Sequence, residues 1–232
     1  MVNGEADAFR KALRAVEGVV FDLDGLVLDT ETTYFMAWRQ AAALMGYQLP
    51  SAFCLSLSGL HYRDVEIRLL EFCGSTFNLQ EFNRLGGVCW YRIVEKQGID
   101  IKKGFWTFLK LLQESDIPYG LATNSRLNNA LECLDFAGLG NVFETIVARD
   151  HVERGKPAPD IFLNAAERLS IPISRCLALE DSTAGVMAAS TSGAFTVYVP
   201  SVLPADPYAG ELCHLQCRDL GQVAALWAAR DL

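Results

Sequence analysis

Two aspartates stand one residue apart in Asp22-Leu-Asp24-Gly25, directly after the apolar run Val19-Val-Phe21. β-branched and aromatic residues of this kind suit a short interior strand of a parallel sheet, covered on both faces. Strand periodicity puts Asp22 and Asp24 on one side and turns Leu23 to the other. Two carboxylates then converge at the carboxyl edge of the sheet, where open α/β folds bind their ligands. Neighbouring carboxylates repel, so the pair calls for a shared proton, a basic side chain or a hard divalent cation. Gly25 supplies the backbone freedom for a loop that folds over a small anion.

Three later segments offer matching chemistry. Thr123-Asn124-Ser125 follows an apolar segment, and a hydroxyl with adjacent N–H groups at a strand-to-helix junction binds an anion. Asn124 or Ser125 serving as a plain helix N-cap is the other reading of the same residues. In Gly155-Lys156-Pro157-Ala-Pro159 the prolines are expected to hold the backbone extended and so stiffen the presentation of Lys156. A lysine there neutralises a phosphate or an aspartate, while His151 reads as a loop residue. Glu180-Asp181 ends another apolar run, and paired acids match a hard cation such as Mg²⁺, which takes one or two carboxylates with water and phosphate. Asp181 or Ser182 also suits the cap of the following helix.

The elements that must position these groups follow from periodicity. Strands are expected over 119–123, 144–148, 176–180 and 195–199, alternating with helices over 105–114, 127–137, 159–169, 183–192 and 220–229. Such alternation implies βαβ units and a doubly wound parallel sheet, a Rossmann-like α/β core with helices on both faces. Between the first strand and the rest, only helical spacing is visible. Tyr34, Trp38, Ala41, Ala42 and Met45 form one stripe; Val65, Leu69, Leu70 and Phe72 form a second; Val88, Tyr91 and Val94 form a third. The expected organisation is a core domain of residues 1–32 and 99–232 interrupted by a small all-helical domain of residues 33–98.

A chain of 232 residues with 51% apolar content fills one domain and a smaller insert. A net charge of −8 without a basic run argues against nucleic acid as the main partner. No stretch approaches the roughly 18 apolar residues of a membrane span. Residues 1–17 lack the apolar core of a secretory signal, so a cytoplasmic location is expected. The seven cysteines lie mostly in apolar stretches and suit reduced core thiols. Cys213-His-Leu-Gln-Cys217 has the alternation of a half-buried edge strand, and a zinc site needs further ligands. Trp90, Tyr91, Phe105 and Trp106 suit core or interface alike, so the pattern leaves the oligomeric state open, with a monomer the simpler expectation.

Taken in order, Asp22-Leu-Asp24-Gly25 with Asp29-Thr30, then Thr123, then Gly155-Lys156-Pro157, then Glu180-Asp181, resemble the four motifs of the haloacid dehalogenase superfamily of phosphohydrolases. The helical insert resembles the cap of the subgroup that contains beta-phosphoglucomutase and many sugar-phosphate phosphatases. The resemblance implies a Mg²⁺-dependent phosphoric monoester hydrolase acting on a small phosphorylated metabolite. It makes Asp22 the nucleophile and Asp24 the general acid and base. Thr123, Asn124 and Lys156 would bind the phosphoryl group, and Asp22, Asp24 (through its carbonyl), Glu180 and Asp181 would bind the metal. Family members that dehalogenate lack the second aspartate, because a halide leaves without a proton. Phosphonate hydrolases place a lysine in the cap, whereas Lys96, Lys102 and Lys103 lie near its border here. Beta-phosphoglucomutase carries a histidine close to where this chain has Tyr34, which favours a phosphatase over the alternative, a phosphosugar mutase. In the segment 58–64, His61 and Arg63 are the candidates for substrate specificity. A non-catalytic binding protein that keeps the fold is the remaining alternative, and the retained carboxylates oppose it.

Overall fold

The computed structural model describes residues 11–57 and 62–231 of the chain, excepting the Tyr62 side chain. Two compact units divide it, one made of Met1–Leu28 with Ile101–Leu232 and the other of Asp29–Asp100. Each is described by itself.

The first unit is built on a six-stranded sheet, β1 (Gly18–Phe21), β2 (Tyr119–Ala122), β3 (Thr145–Val147), β4 (Cys176–Glu180), β5 (Phe195–Tyr198) and β6 (Leu215–Gln216). Every pairing is parallel and the order is β3-β2-β1-β4-β5-β6, the doubly wound arrangement. The chain leaves β1 towards β2 on one side and later returns to β4 on the other, so the order reverses beside β1. Phe21 stands opposite Leu121 of β2 and Leu179 of β4. The three strands therefore end level, and the residues after them meet at one edge.

Alternation along β1 covers both faces. Val20 packs with Ala122, Val147, Ile161, Phe162 and Ala188, under α7 (Asp160–Arg168) and α8 (Thr183–Ser192). Phe21 meets Phe105 and Phe108 of α5 (Phe105–Glu114) edge-on, with ring centroids 5.9 and 5.8 Å apart. Phe108 in turn meets Trp227 of α10 (Leu220–Ala228) at 5.7 Å. Helices on both faces of a parallel sheet make this an α/β Rossmann-like fold.

The strands and helices expected from periodicity lie within about a residue of their observed ends, the usual scatter of element boundaries. In this unit α9 (Pro207–Leu212) was not anticipated, although Asp206 as its N-cap and Pro207 at its first turn form a recognisable start. Cys213 and Cys217 flank β6 as free thiols, while His214 Nδ1 accepts the Thr196 N–H at 3.0 Å. The prolines after Lys156 do not extend the chain as expected. Ala158 N–H donates to Gly155 O at 3.0 Å and Pro159 has helical dihedrals, so the segment is turned into the start of α7.

The second unit holds α1 (Thr30–Leu44), α2 (Ser51–Leu55), α3 (Tyr62–Cys73) and α4 (Leu79–Gln97). Asp29 caps α1 and Asn78 caps α4, satisfying N–H groups that a helix leaves open. Ala41, Ala42, Leu49, Cys54, Leu57, Val65, Leu69, Phe77 and Phe82 form its main core. The buried face of α4 is Phe82, Gly86, Cys89, Ile93 and Val94, so the stripe through Val88 and Tyr91 is corrected. Those two are 39% and 47% exposed, because α1 packs on the neighbouring face, where Gly86 lies beside the Trp38 side chain. Phe72 is also exposed, with its ring stacked on Phe53. No helix among the described residues is long and apolar enough to cross a membrane.

Candidate active site

The level ends of β1, β2 and β4 decide which side chains meet. Asp22 N–H donates to Leu179 O at 3.0 Å, which ties the last turn of β1 to β4. Its carboxylate is buried, whereas Leu23 points into the core with no exposure. After Asp24 the chain reverses through Gly25, which has φ +86° and donates to Leu28 O at 2.8 Å. A Cβ on Gly25 would lie 2.1 Å from Asp181 Oδ2, so the position excludes any side chain on two counts.

Lys156 arrives from the turn after β3, and its side chain is 4% exposed. Its ammonium pairs with Asp22 Oδ1 and lies 2.5 Å from Glu180 Oε1. Glu180 is fully buried; Oε2 accepts the Asp181 N–H at 3.2 Å, and Oε1 has the ammonium beside it and no other donor. This carboxylate lies against the start of α8, where a Cβ on Gly185 would come within 1.9 Å of it. Ser182 caps α8 by accepting the Gly185 N–H at 3.1 Å, one of the two readings for this turn.

Asp22, Glu180 and Asp181 present carboxylate oxygens that all lie within 4.8 Å of one another, and all three are buried. Burial pushes the Asp22 carboxyl well above the usual range; Lys156 pulls it down, and Glu180, Asp181 and Asp24 push it up further. Burial works against the Lys156 ammonium, but Asp22 and Glu180 outweigh it and hold the group above the ordinary lysine range. One ammonium thus faces an excess of buried carboxylate. The deficit is of positive charge, and the donors are all oxygen, which fits a hard divalent cation such as Mg²⁺.

The residues after β2 bond to distant segments and do not cap the helix that follows. Thr123 is fully buried; its hydroxyl accepts the Ser125 N–H at 2.9 Å and donates to Asp24 Oδ2 at 3.2 Å. Ser125 Oγ donates to the same oxygen at 2.8 Å. The Asn124 amide brackets the backbone of Lys156, accepting its N–H at 2.9 Å and donating to its carbonyl at 3.2 Å. Neither Asn124 nor Ser125 caps α6 (Leu127–Phe136). Its Leu127 N–H is taken by Asp150 from the turn after β3, at 3.0 Å. Arg149 closes that turn by donating to Val152 O and Glu153 O at 3.0 and 3.3 Å.

The first unit therefore brings together Asp22, Asp24, Thr123, Asn124, Lys156, Glu180 and Asp181. Ser125, Asp150 and Gly185 were not singled out as site residues from sequence. Ser125 had a signal, a second hydroxyl two residues after Thr123, but its partner Asp24 lies far back in the chain. Arg63 is an exposed residue in the first turn of α3, in the other unit. His61 lies outside the described residues, as does most of the segment around it.

Known proteins are similar to this chain over most of its length. A phosphorylated carbohydrates phosphatase from Thermotoga maritima is 30% identical over 79% of this chain and 84% of its own. A beta-phosphoglucomutase from Bacillus subtilis is 30% identical over 79% of this chain and 83% of its own. Among solved structures, a provisional beta-phosphoglucomutase from Thermotoga maritima superimposes with a TM-score of 0.80 at 26% identity, covering 92% of this chain and 99% of that one. The family model of haloacid dehalogenase-like hydrolases matches residues 19–199, and with it the sheet order and the relatives agree: the chain belongs to the haloacid dehalogenase-like hydrolase family.

Proposed function

We propose that the protein is a Mg²⁺-dependent phosphatase that hydrolyses a small phosphorylated carbohydrate through an aspartyl phosphate on Asp22. The observation that carries this reading is the pairing of Asp22 with Lys156 beside a second, hydroxyl-held carboxylate, Asp24. Asp22 attacks phosphorus in line, and the ester oxygen leaves with a proton from Asp24. Water then attacks the phosphorus of the aspartyl phosphate and gives its proton to Asp24, which frees phosphate and restores Asp22. Lys156 and Thr123 steady the phosphoryl oxygens, and Asn124 serves through its bracket on the Lys156 backbone. Asp22, Asp24 through its carbonyl, Glu180 and Asp181 would hold the Mg²⁺, which when bound offsets charge on the transferring phosphoryl group.

The Asp29–Asp100 unit is assigned the role of substrate-selecting cap, with Arg63 and His61 as its specificity residues. The net charge of −8 and the seven free cysteines suit a cytoplasmic enzyme working on free metabolites, and a monomer is the simplest form of it. A carbohydrate ester is favoured because the phosphatase relative is named for that class. The mutase relative keeps a second reading in place, and Tyr34 at the head of α1 favours hydrolysis over it.

Phosphate release is the test, measured on glucose 1-phosphate, glucose 6-phosphate, fructose 1-phosphate, phosphoglycolate and a nucleoside monophosphate, with and without Mg²⁺. Turnover that needs Mg²⁺ and disappears in Asp22→Asn supports the reading. Glucose 6-phosphate formed from glucose 1-phosphate without phosphate release would replace it by the mutase.

A further inference from the structure

Asp24 is held in a way that the proton-transfer role by itself does not require. Two side-chain bonds fall on one oxygen: Oδ2 accepts from Ser125 Oγ at 2.8 Å and from Thr123 Oγ1 at 3.2 Å. A carboxylate turns readily about its last torsion, where the preference is broad and two-fold. Two donors on a single oxygen remove that freedom and leave proton exchange to Oδ1. The donors are themselves fixed. Thr123 N–H donates to Val147 O at 2.9 Å, and its hydroxyl accepts the Ser125 N–H, which turns the Thr123 proton towards Asp24. Ser125 is anchored from the other side as well, because its carbonyl accepts the Arg149 N–H at 3.0 Å. The shorter of the two bonds to Asp24 is the one from Ser125, and it is the one that stays when the single hydroxyl proton of Thr123 turns to a phosphoryl oxygen.

We infer that Ser125 is a positioning residue for proton transfer, holding Oδ2 of Asp24 so that Oδ1 faces the ester oxygen of the substrate. This rests on the phosphatase reading above. In the step concerned, the P–O ester bond breaks as the Asp22 oxygen bonds to phosphorus, and the leaving oxygen takes the proton from Asp24 Oδ1. A sugar alkoxide is strongly basic and cannot leave without that proton, whereas a nitrophenolate leaves as the anion. A group that only aims the acid therefore matters for the first class of ester and little for the second. A group that binds the phosphoryl oxygens, or that merely supports the loop, matters equally for both.

The experiment compares kcat/KM, which reports on steps up to the first P–O cleavage, for two esters. These are the sugar phosphate turned over fastest in the panel and p-nitrophenyl phosphate, each with the native chain, Ser125→Ala and Ser125→Thr. Ser125→Ala is expected to lose about 100-fold on the sugar phosphate and less than about 10-fold on the nitrophenyl ester, within the range that general acids contribute. Ser125→Thr, which keeps a hydroxyl, is expected to bring the ratio of the two esters back towards native. Equal loss on both esters, no loss on either, or a threonine variant no better than alanine overturns the inference while leaving the phosphatase reading intact. A native chain that turns over neither ester, or activity that survives Asp22→Asn, overturns the phosphatase reading and this inference with it. Melting temperatures of the three proteins are read alongside. If Ser125→Ala does not fold, the Ser125→Thr and Ser125→Cys ratios decide, since cysteine is a weak donor and should show the same selective loss.

Discussion

The carboxyl ends of β1 and β4 and the helical Asp29–Asp100 unit are held by opposite means. At the strand ends, buried Asp22, Glu180 and Asp181 crowd one buried ammonium, and the backbone approaches so closely that Gly25 and Gly185 admit no side chain. In the helical unit, the buried polar side chains among the described residues are Thr30 and Thr33, and the packing is aliphatic and aromatic. Thr33 accepts the Trp90 indole N–H at 3.1 Å and donates to Thr30 O, so even that exception is satisfied. The strand ends hold charge that repels itself and would relax if allowed to, the arrangement expected of a binding or catalytic site. Among its described residues the helical unit has no such tension. Substitutions at the first should be severe and specific, and at the second mild and additive.

The sharpest way to break this contrast is to remove the cation of the site. Lys156→Met leaves Asp22 and Glu180 buried without their counter-charge, and breaking such a pair costs about 3–5 kcal/mol. Urea unfolding should show that loss near neutral pH, together with loss of turnover. A stable Lys156→Met protein would mean that the carboxylates carry little charge in the absence of a bound cation.

Two glycines inside helices sharpen the contrast because their substitutions should differ in sign. Gly185→Ala drives a methyl into the Glu180 carboxylate, where overpacking costs roughly 1–3 kcal/mol, and it should also impair turnover. Gly87 lies in α4 with nothing within 4 Å of its would-be Cβ, and Gly87→Ala should stabilise by about 0.5–1 kcal/mol. Thermal unfolding of both variants, each in the full chain, checks the pair.

The smallest expected effect lies away from the site. Asp219 caps α10 through the Gln222 N–H at 2.9 Å and pairs with Lys103 at 3.1 Å. Burial pushes its carboxyl up, but the Gln222 N–H and Lys103 outweigh that and hold it below the usual range. A depressed folded value means that the charge stabilises the fold above the unfolded value near about 4 and is lost as pH falls through the folded value. Asp219→Asn keeps the cap and removes the charge. Its stability should therefore trail the native chain by less than about 1 kcal/mol at neutral pH and converge with it in acid. A constant difference across pH would assign the effect to the cap alone.

Much of this contrast is legible in the chain. Val19-Val-Phe21 followed by Asp22 reads as a buried strand ending in charge because no other element takes such a run. The later strand ends repeat the signal at Thr123 and Glu180-Asp181. Lys156 stands out for the prolines that follow it, although they turn the chain where extension was expected. What escaped were the distant partners of Asn124 and Ser125. Beside the anion-binding reading, Asn124 and Ser125 also read as helix caps, because local bonding is the default for such residues. In the fold, Asp150 takes over the cap of α6, and that releases Asn124 to Lys156 and Ser125 to Asp24. The face of α4 escaped for a related reason: its apolar residues extend around more than one face, and α1 selects among them.

By itself, the sequence determined the alternation of strands and helices, the helical interruption after the first motif, and the strand-end positions of the acids and the lysine. Those follow from periodicity and from the short-range preferences of β-branched, capping and turn residues. The tertiary structure alone decided that β1 lies between β2 and β4 with level ends, which brings segments more than a hundred residues apart to one edge. It also decided which oxygen of Asp24 is held and by which hydroxyls. Such bonds depend on distances between chain segments that no local pattern encodes, and they form only once the sheet has set those segments side by side.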